Sequence, residues 1–332
     1  MSSFSENIAV VIPCFNAERY LAAALESVLC QSLPPAEILV VDDGSSDGSC
    51  QVAERYAPRV RCVSRQNGGV SSARNAGISL TRAKYLLFLD ADDLLLPDAL
   101  ETLALTLAAK PEAGVAFGLF EPFEEQSGKV LPPPPYISQQ IEKVPHVPLP
   151  GGGYLFTENL FSPLLRGSFI PMGGTMVRRR VFEKVGSFDE EFRVGEDRDL
   201  WLRATVVFPF VCVKRVVMRR RLHDSNLTGK RHQQLYHDFN IKLAHKLSAA
   251  VPDIKQEDKS YINEKAADCS RISARHFIGE GKSGIARIYV LEYSHWKGWE
   301  PETIVLFALT LVPDFVLSLA GRLRGSIATS PS

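Results

Sequence analysis

Tyr85-Leu86-Leu87-Phe88-Leu89-Asp90-Ala91-Asp92-Asp93 is an apolar run that ends in three carboxylates within four positions. A short run with no polar residue reads as a strand buried on both faces, the kind a parallel sheet covered by helices requires. In such open α/β sheets ligands bind in the crevice outside the carboxyl ends of the strands, where these acids stand. Similar runs occur at Ile8–Ile12, Glu37–Val41, Val60–Val63 and Val115–Leu119, with helical stretches between them. Tyr20, Leu21, Ala24, Leu25, Val28 and Leu29 recur at helical spacing with Asn16 as their N-cap, and Pro97 opens a helix through Ala109. The pattern predicts an α/β fold: a doubly wound, mostly parallel sheet flanked by helices.

Further along, Pro132–Pro135 and the stretch from Pro145 to Gly153 break regular structure, so Glu121 to Ser168 reads as a long loop or insertion outside the core. Regularity returns with a helix Arg179–Val185, a helix Glu196–Val206 and a strand Phe210–Val217. Beyond Arg231 the chain reads as helical, with Leu235, Phe239, Leu243 and Leu247 every four residues and His232 and His237 on exposed faces. This divides the chain into a domain over 1–230, with halves at about 1–120 and 121–230, and a helical C-terminal region over 231–332.

The 332 residues contain 38 Lys plus Arg and 38 Asp plus Glu, so no global positive field draws the chain to nucleic acid. Six scattered cysteines without a C-x-x-C pair, and an N-terminus lacking a basic and apolar leader, point to a cytoplasmic protein. Asn226-Leu227-Thr228 is then a chance match to a glycosylation acceptor. The first strand is followed by Pro13-Cys14-Phe15-Asn16-Ala17-Glu18, without the glycines a dinucleotide site needs, which disfavours NAD and FAD. Gly281-Lys282-Ser283 lacks the earlier glycine of a phosphate-binding loop, whose position is taken by His276.

The second strand ends in Asp42-Asp43-Gly44-Ser45-Ser46-Asp47, facing the same crevice as the first. Three acids at Asp90, Asp92 and Asp93 repel one another unless a hard divalent cation or ligand donors compensate them; a helix N-cap explains only one. Phe15 serves equally as a core aromatic or a stacking surface, Asp43 as a turn residue or a ligand acceptor, and Arg74 as a solvated surface cation or a phosphate partner. Glu196-Asp197 opens a helix where one acid complements the dipole and the other is free to act. His223, after Arg219-Arg220-Arg221, reads as a surface residue or a metal ligand.

In order along the chain, V-V-I-P-C-F-N-A-E, I-L-V-V-D-D-G-S-S-D, Gly68-Gly69-Val70-Ser71-Ser72-Ala73-Arg74-Asn75-Ala76-Gly77, F-L-D-A-D-D, Val185–Asp189 and Gly195–Arg203 resemble the family 2 glycosyltransferases with the GT-A fold. The resemblance covers about two thirds of the chain and fails in Glu121–Ser168 and after Lys230. It implies a nucleotide-diphosphate-sugar donor, a UDP-sugar foremost, in a crevice formed by Pro13, Phe15, Asn16, Glu18, Asp43, Arg74 and Asp92. Phe15 would stack on the base, Asp43 accept a base N–H, Arg74 meet a phosphate or the base, and Asp92 the ribose side. It further implies Mn²⁺ or Mg²⁺ on Asp93 with Asp92 and His223, Asp90 supporting the turn, and Asp197 as general base with Glu196 beside it. The expected function is transfer of a sugar, with inversion and metal dependence, to a hydroxyl of a glycan or lipid-linked acceptor in glycan or cell-surface polysaccharide synthesis. A non-catalytic nucleotide-sugar binding or scaffolding module on the same fold is the alternative, and a sugar-nucleotide pyrophosphorylase a weaker one.

In Thr303–Leu319, Pro313 and Asp314 interrupt an apolar stretch too short to span a bilayer. With Arg322 and Arg324 beyond, it reads as packing on the catalytic domain or a second subunit, a homodimer, or as a peripheral contact with the inner face of the membrane.

Overall fold

The computed structural model describes residues 7–150, 152–156, 160–224, 232–250, 254–314 and 316–317. The chain forms two compact units, Met1–Asn226 and Leu227–Ser332.

In the first unit, β1 (Ile8–Cys14) is buried along its whole length. It is followed by α1 (Leu21–Leu29), β2 (Glu37–Asp42), α2 (Ser49–Glu54), β3 (Arg61–Ser64), α3 (Val70–Leu80) and β4 (Tyr85–Phe88). β1 pairs in parallel with β2 and β4, and β2 in parallel with β3. Next come β5 (Leu94–Leu95), α4 (Ala99–Ala109), β6 (Val115–Glu124), α5 (Pro135–Lys143), β7 (Val147–Pro148), β8 (Tyr154–Phe156), α6 (Phe161–Arg166), β9 (Thr175–Arg178), α7 (Arg179–Val185), α8 (Glu196–Thr205) and β10 (Phe210–Leu222). The strands form one sheet in the order β3-β2-β1-β4-β9-β6-β10-β8-β7, with β5 on β10. β9 runs antiparallel between β4 and β6, while β6 and β10 are again parallel. The sheet is thus mixed and mostly parallel, flanked by helices.

Several expectations need correction. Asn16 does not cap α1: the chain first turns through Ala17, whose carbonyl accepts the N–H groups of Tyr20 and Leu21, and Asn16 takes a left-handed conformation with φ of 49°. The segment from Glu121 to Ser168 is no loose insertion. Its β8 pairs with β10, Phe156 lies buried 6.1 Å from the Phe117 ring, and Phe161, Leu164 and Leu165 of α6 are buried. The prolines and glycines punctuate these short elements without abolishing them. β6 and β10 also run on to Glu124 and Leu222, because each supplies the other's backbone partners along a paired register from Phe210↔Val115 to Leu222↔Glu124.

Gly77 marks the close approach of α3 to the sheet. A Cβ there would lie 2.3 Å from Val11 Cγ1, in the middle of β1. Alanine usually favours a helix over glycine by about 0.5–1 kcal/mol, but here the overlap with a packed core costs about 1–3 kcal/mol. Gly77→Ala is therefore expected to lower the urea midpoint. A raised midpoint would mean that α3 can lift from β1 at no cost.

The second unit contains α9 (Gln233–Ala250), α10 (Gln256–Gly279), α11 (Ser283–Lys297) and α12 (Pro301–Leu309). Ala267, Ala274, Val290, Tyr293 and Leu306 form its core, with Trp296 and Phe307 packed against it. Phe239, Leu243 and Leu247 are buried as their spacing predicts, whereas Leu235 is half-buried. His237, expected on an exposed face, is half-buried and its Nδ1 lies 3.2 Å from Ser273 Oγ. Among the described residues no helix is long and apolar enough to cross a membrane. Ser225 to Lys230, with the glycosylation-like triplet, and Ser318 onward, with Arg322 and Arg324, lie outside the described residues.

Candidate active site

The turns after β1 and β2 are stitched into one surface. Asn16 donates its N–H to Ser45 Oγ (2.9 Å) and accepts the Ser46 N–H on Oδ1 (2.8 Å). Ala17 N–H donates to Ser49 Oγ (2.8 Å), and Glu18 Oε2 accepts the Gly48 N–H (2.9 Å). Pro13 is buried within β1 opposite Val41. Phe15 instead stands 54% exposed at the rim, which removes the core-aromatic reading. Asp43 is buried and its carboxylate accepts the N–H groups of Gly68 (3.1 Å) and Gly69 (2.7 Å), with Arg65 Nε at 3.3 Å. It thereby fixes the turn into α3, where Gly69 adopts φ of 91°, a conformation suited to glycine.

β4 delivers the acidic turn, closed by the Asp93 N–H on the Asp90 carbonyl (3.0 Å). Its three carboxylates have different surroundings. Asp90 Oδ1 pairs with Arg74 Nη2 at 2.7 Å. Asp93 is buried and accepts the Arg221 N–H on Oδ1 at 2.9 Å. Burial above all, then the charges of Asp92 and Asp90, push the Asp93 carboxyl well above the usual carboxylate range. Asp92 is only half-buried, and its Oδ2 lies 2.8 Å from His223 Nε2. The extended end of β10 makes this contact: Arg221 Nε donates to the Asp92 carbonyl (2.9 Å), its guanidinium lies over Tyr20 and Phe123, and the His223 ring stacks on Tyr20 at 5.0 Å.

Arg74 is neither a surface cation nor open to a passing phosphate. It is 2% exposed, and its second arm, Nη1, meets Glu196 Oε1 at 2.5 Å. One buried guanidinium thus joins the acidic turn to the start of α8, while its Nε is buried without a hydrogen-bond partner. α8 begins after Gly195, whose φ of 75° places Glu196 and Asp197 in its first turn. Asp197 Oδ1 accepts the Arg198 N–H at 2.7 Å. Enclosure by protein, then the Glu196 charge, push the Asp197 carboxyl up to about 7, against the lowering effects of Arg74 and the Arg198 N–H.

Among the described residues no three His, Cys, Asp or Glu side chains form a ready metal-binding group. Asp92 and His223 nonetheless suit a hard cation that completes its shell from a ligand, since Mg²⁺ is commonly held by one or two carboxylates together with substrate phosphates. Asp93 is the poorer donor, being buried on the Arg221 N–H.

Sequence reasoning missed Tyr20, Arg65 and Arg221. The run Arg219-Arg220-Arg221 was visible, but only the unexpected length of β10 gives it a place.

The architecture is a mixed, mostly parallel sheet with a polar crevice at its strand ends, and comparison with known proteins gives the family. The glycosyl transferase family 2 model matches residues 9–186, more than half of the chain. The chain belongs to glycosyl transferase family 2 and is a glycosyltransferase. It is 28% identical over 238 residues to an uncharacterized glycosyltransferase of Rickettsia typhi, covering 70% of each chain. It is likewise 28% identical over 231 residues to chondroitin synthase of Escherichia coli, covering 68% of this chain and 30% of that one. Among solved structures, S. aureus TarS 1–349 in complex with UDP-GlcNAc superposes with a TM-score of 0.59 at 18% identity, over 90% of this chain and 83% of that one.

Proposed function

We propose that this enzyme transfers a sugar from a UDP-sugar to a hydroxyl of a glycan or lipid-linked acceptor, inverting the anomeric centre with the help of a divalent cation. The reading places it at the cytoplasmic side of glycan or cell-surface polysaccharide synthesis. The observation that carries it is the pairing of Arg74 with Asp90 and Glu196, which commits Glu196 to a structural bond and leaves Asp197 with a carboxyl tuned toward neutrality. TarS, with its bound UDP-GlcNAc, supports the choice of nucleotide.

In this reading Phe15 stacks on the base, a contact worth about 1–3 kcal/mol in nucleic-acid systems. Pro13, Asn16 and Glu18 hold the rim that presents it, and Asp43 holds the Gly68–Gly69 turn while lining the base pocket. Asp92 and His223 would hold Mn²⁺ or Mg²⁺, and Asp93 acts through the Arg221 N–H to keep the end of β10 in place. When bound, the cation supplies Lewis-acid neutralisation of the diphosphate leaving group. Asp197 takes the proton of the acceptor hydroxyl as that oxygen attacks the anomeric carbon opposite the diphosphate. The bond from carbon to phosphate oxygen breaks, and UDP departs. A single displacement inverts the centre and asks for only one protein base. Residues 1–120 would then serve the donor, 121–230 the acceptor and base, and 231–332 a separate task.

The test is turnover over a panel of nucleotide sugars with Mn²⁺ present, joined to calorimetric titration of UDP into wild type and Asp92→Asn with and without Mn²⁺. UDP-sugars should be hydrolysed or transferred in preference to GDP-sugars, and Mn²⁺ should raise UDP affinity in wild type but not in Asp92→Asn. Equal UDP affinity in all four titrations removes the metal from the proposal.

A further inference from the structure

Two thiols that the transfer reaction does not use lie against each other beside the donor crevice. Cys50 Sγ, in α2, is 3.8 Å from Cys62 Sγ, in β3, and 3.4 Å from Ser64 Oγ. Both cysteines are free and half-buried. At that separation the sulfurs are in van der Waals contact, and a disulfide bond of about 2.05 Å asks for a small further approach. The two thiols are not equivalent. Burial above all, then its contact with Cys50, hold the Cys62 thiol above its ordinary value, which makes it the slower of the two toward an outside oxidant. Cys50 Sγ instead has Glu54 Oε1 at 3.7 Å as an acceptor for its proton.

We propose that Cys50 and Cys62 are an oxidation site that hydrogen peroxide closes into a disulfide, loosening the turn that carries Phe15. The Cys50 sulfur attacks one oxygen of the peroxide and the O–O bond breaks. The second oxygen leaves with the thiol proton as water, and Cys50 becomes a sulfenic acid. The Cys62 sulfur then attacks the Cys50 sulfur, the S–O bond breaks, and the hydroxyl departs with the Cys62 proton as a second water. Two thiols lose two electrons and two hydrogens, and the peroxide is reduced to two waters. Attack within one molecule, between atoms already in contact, offsets the poor nucleophilicity of Cys62. The strain of closure reaches the crevice through α2. Ser49, next to Cys50, accepts the Ala17 N–H on Oγ at 2.8 Å, two residues beyond Phe15. In the sheet β3 lies on the far side of β2 from β1, so drawing Cys50 toward Cys62 pulls Ser49 away from the turn after β1.

Neither the linkage nor the loosening depends on the identity of the donor, so the test stands apart from that of the transferase reading. The full chain is reduced, freed of reductant and treated with hydrogen peroxide, with and without dimedone to trap sulfenic acid. The peroxide dose is raised until the exposed thiol of Cys30 takes up the trap. Trypsin cuts at Arg55, Arg59 and Arg61, between the two cysteines. The peptides holding Cys50 and Cys62 should be recovered joined, from chains that run as monomers on a non-reducing gel, and should separate again with dithiothreitol. Cys62→Ser should gather dimedone on Cys50, whereas Cys50→Ser should leave Cys62 unmodified. Hydrogen exchange at the Ala17 N–H should be at least about twofold faster in the linked chain, the low end of what one weakened hydrogen bond gives, and unchanged by peroxide in Cys50→Ser. The proposal is overturned if the two peptides stay separate at the dose that modifies Cys30, or if Cys50 of Cys62→Ser takes up no dimedone. A linked chain whose Ala17 N–H exchanges as slowly as in the reduced chain overturns the loosening.

Discussion

Asp197→Asn is expected to keep UDP affinity within about twofold and to lose turnover by about 10²–10⁴, the range a positioned general base contributes. The reason lies in what the substitution leaves intact. Asparagine retains a carbonyl oxygen for the Arg198 N–H, so the first turn of α8 keeps its bond, and Arg74 still pairs with Glu196 and Asp90. Only the capacity to take a proton disappears, and that acts in the transition state. The pH profile of wild type gives an independent check. Burial and the Glu196 charge raise the Asp197 carboxyl to about 7, and a base works in its ionised form. Turnover should therefore be level above that pH and fall about tenfold per unit below it, and the fall should be absent from residual Asn activity. An Asn variant with more than about a tenth of wild-type turnover would move the base elsewhere.

Arg74→Met is expected to destabilise the enzyme by about 3 kcal/mol, toward the lower end of what removing one partner of a buried ion pair costs. Glu196 would be left buried without its ion-pair partner, with only the start of α8 to favour its charge, while Asp90, whose side chain is 40% exposed, can regain water. Arg74→Lys should recover little of this, because an ammonium cannot reach both acids with the two arms of a planar fork. Urea denaturation measures the loss, and a change below about 1 kcal/mol would mean that the two acids tolerate one another unbridged. UDP binding distinguishes the roles as well: a guanidinium that holds acids, unlike one that touches phosphate, affects affinity only as far as it affects folding.

Much of this organisation was legible in the chain. Most strands of the first half could be read because they are apolar runs bounded by polar turns, β3 with its exposed Arg61 and Ser64 being the exception, and Arg179–Val185 emerged as a helix with the bounds its spacing predicts. What the sequence hid is long-range. The rule that a proline or glycine cluster ends regular structure held locally around Pro132–Pro134 and Gly152–Gly153, yet β8 directly after the glycines is stabilised by pairing with β10, far along the chain. The site was legible in its acids and illegible in their division of labour. Asp90, Asp92 and Asp93 look alike in sequence; contacts with Arg74 of α3, and with His223 and the Arg221 N–H at the end of β10, distinguish them. Arg74 shows the same limit from the other side, since nothing near it in sequence foretells Glu196, 122 positions away.

The irregular register between β6 and β10 has a practical consequence for anyone reshaping this enzyme. Pairing slips between Cys212 and Val216 and again between Val216 and Met218, before the strand settles into Arg219↔Glu121 through Leu222↔Glu124. Side chains on a strand alternate between faces, so the phase set by those slips decides that His223 meets Asp92. A single-residue deletion within Lys214–Val217 would invert that phase and turn the histidine away, though it lies several residues from any ligand. Lengthening the loop between β7 and β8 would leave the phase alone. Segments exchanged to alter acceptor choice can therefore be cut on that side of the sheet, while the bulged stretch of β10 must be inherited whole.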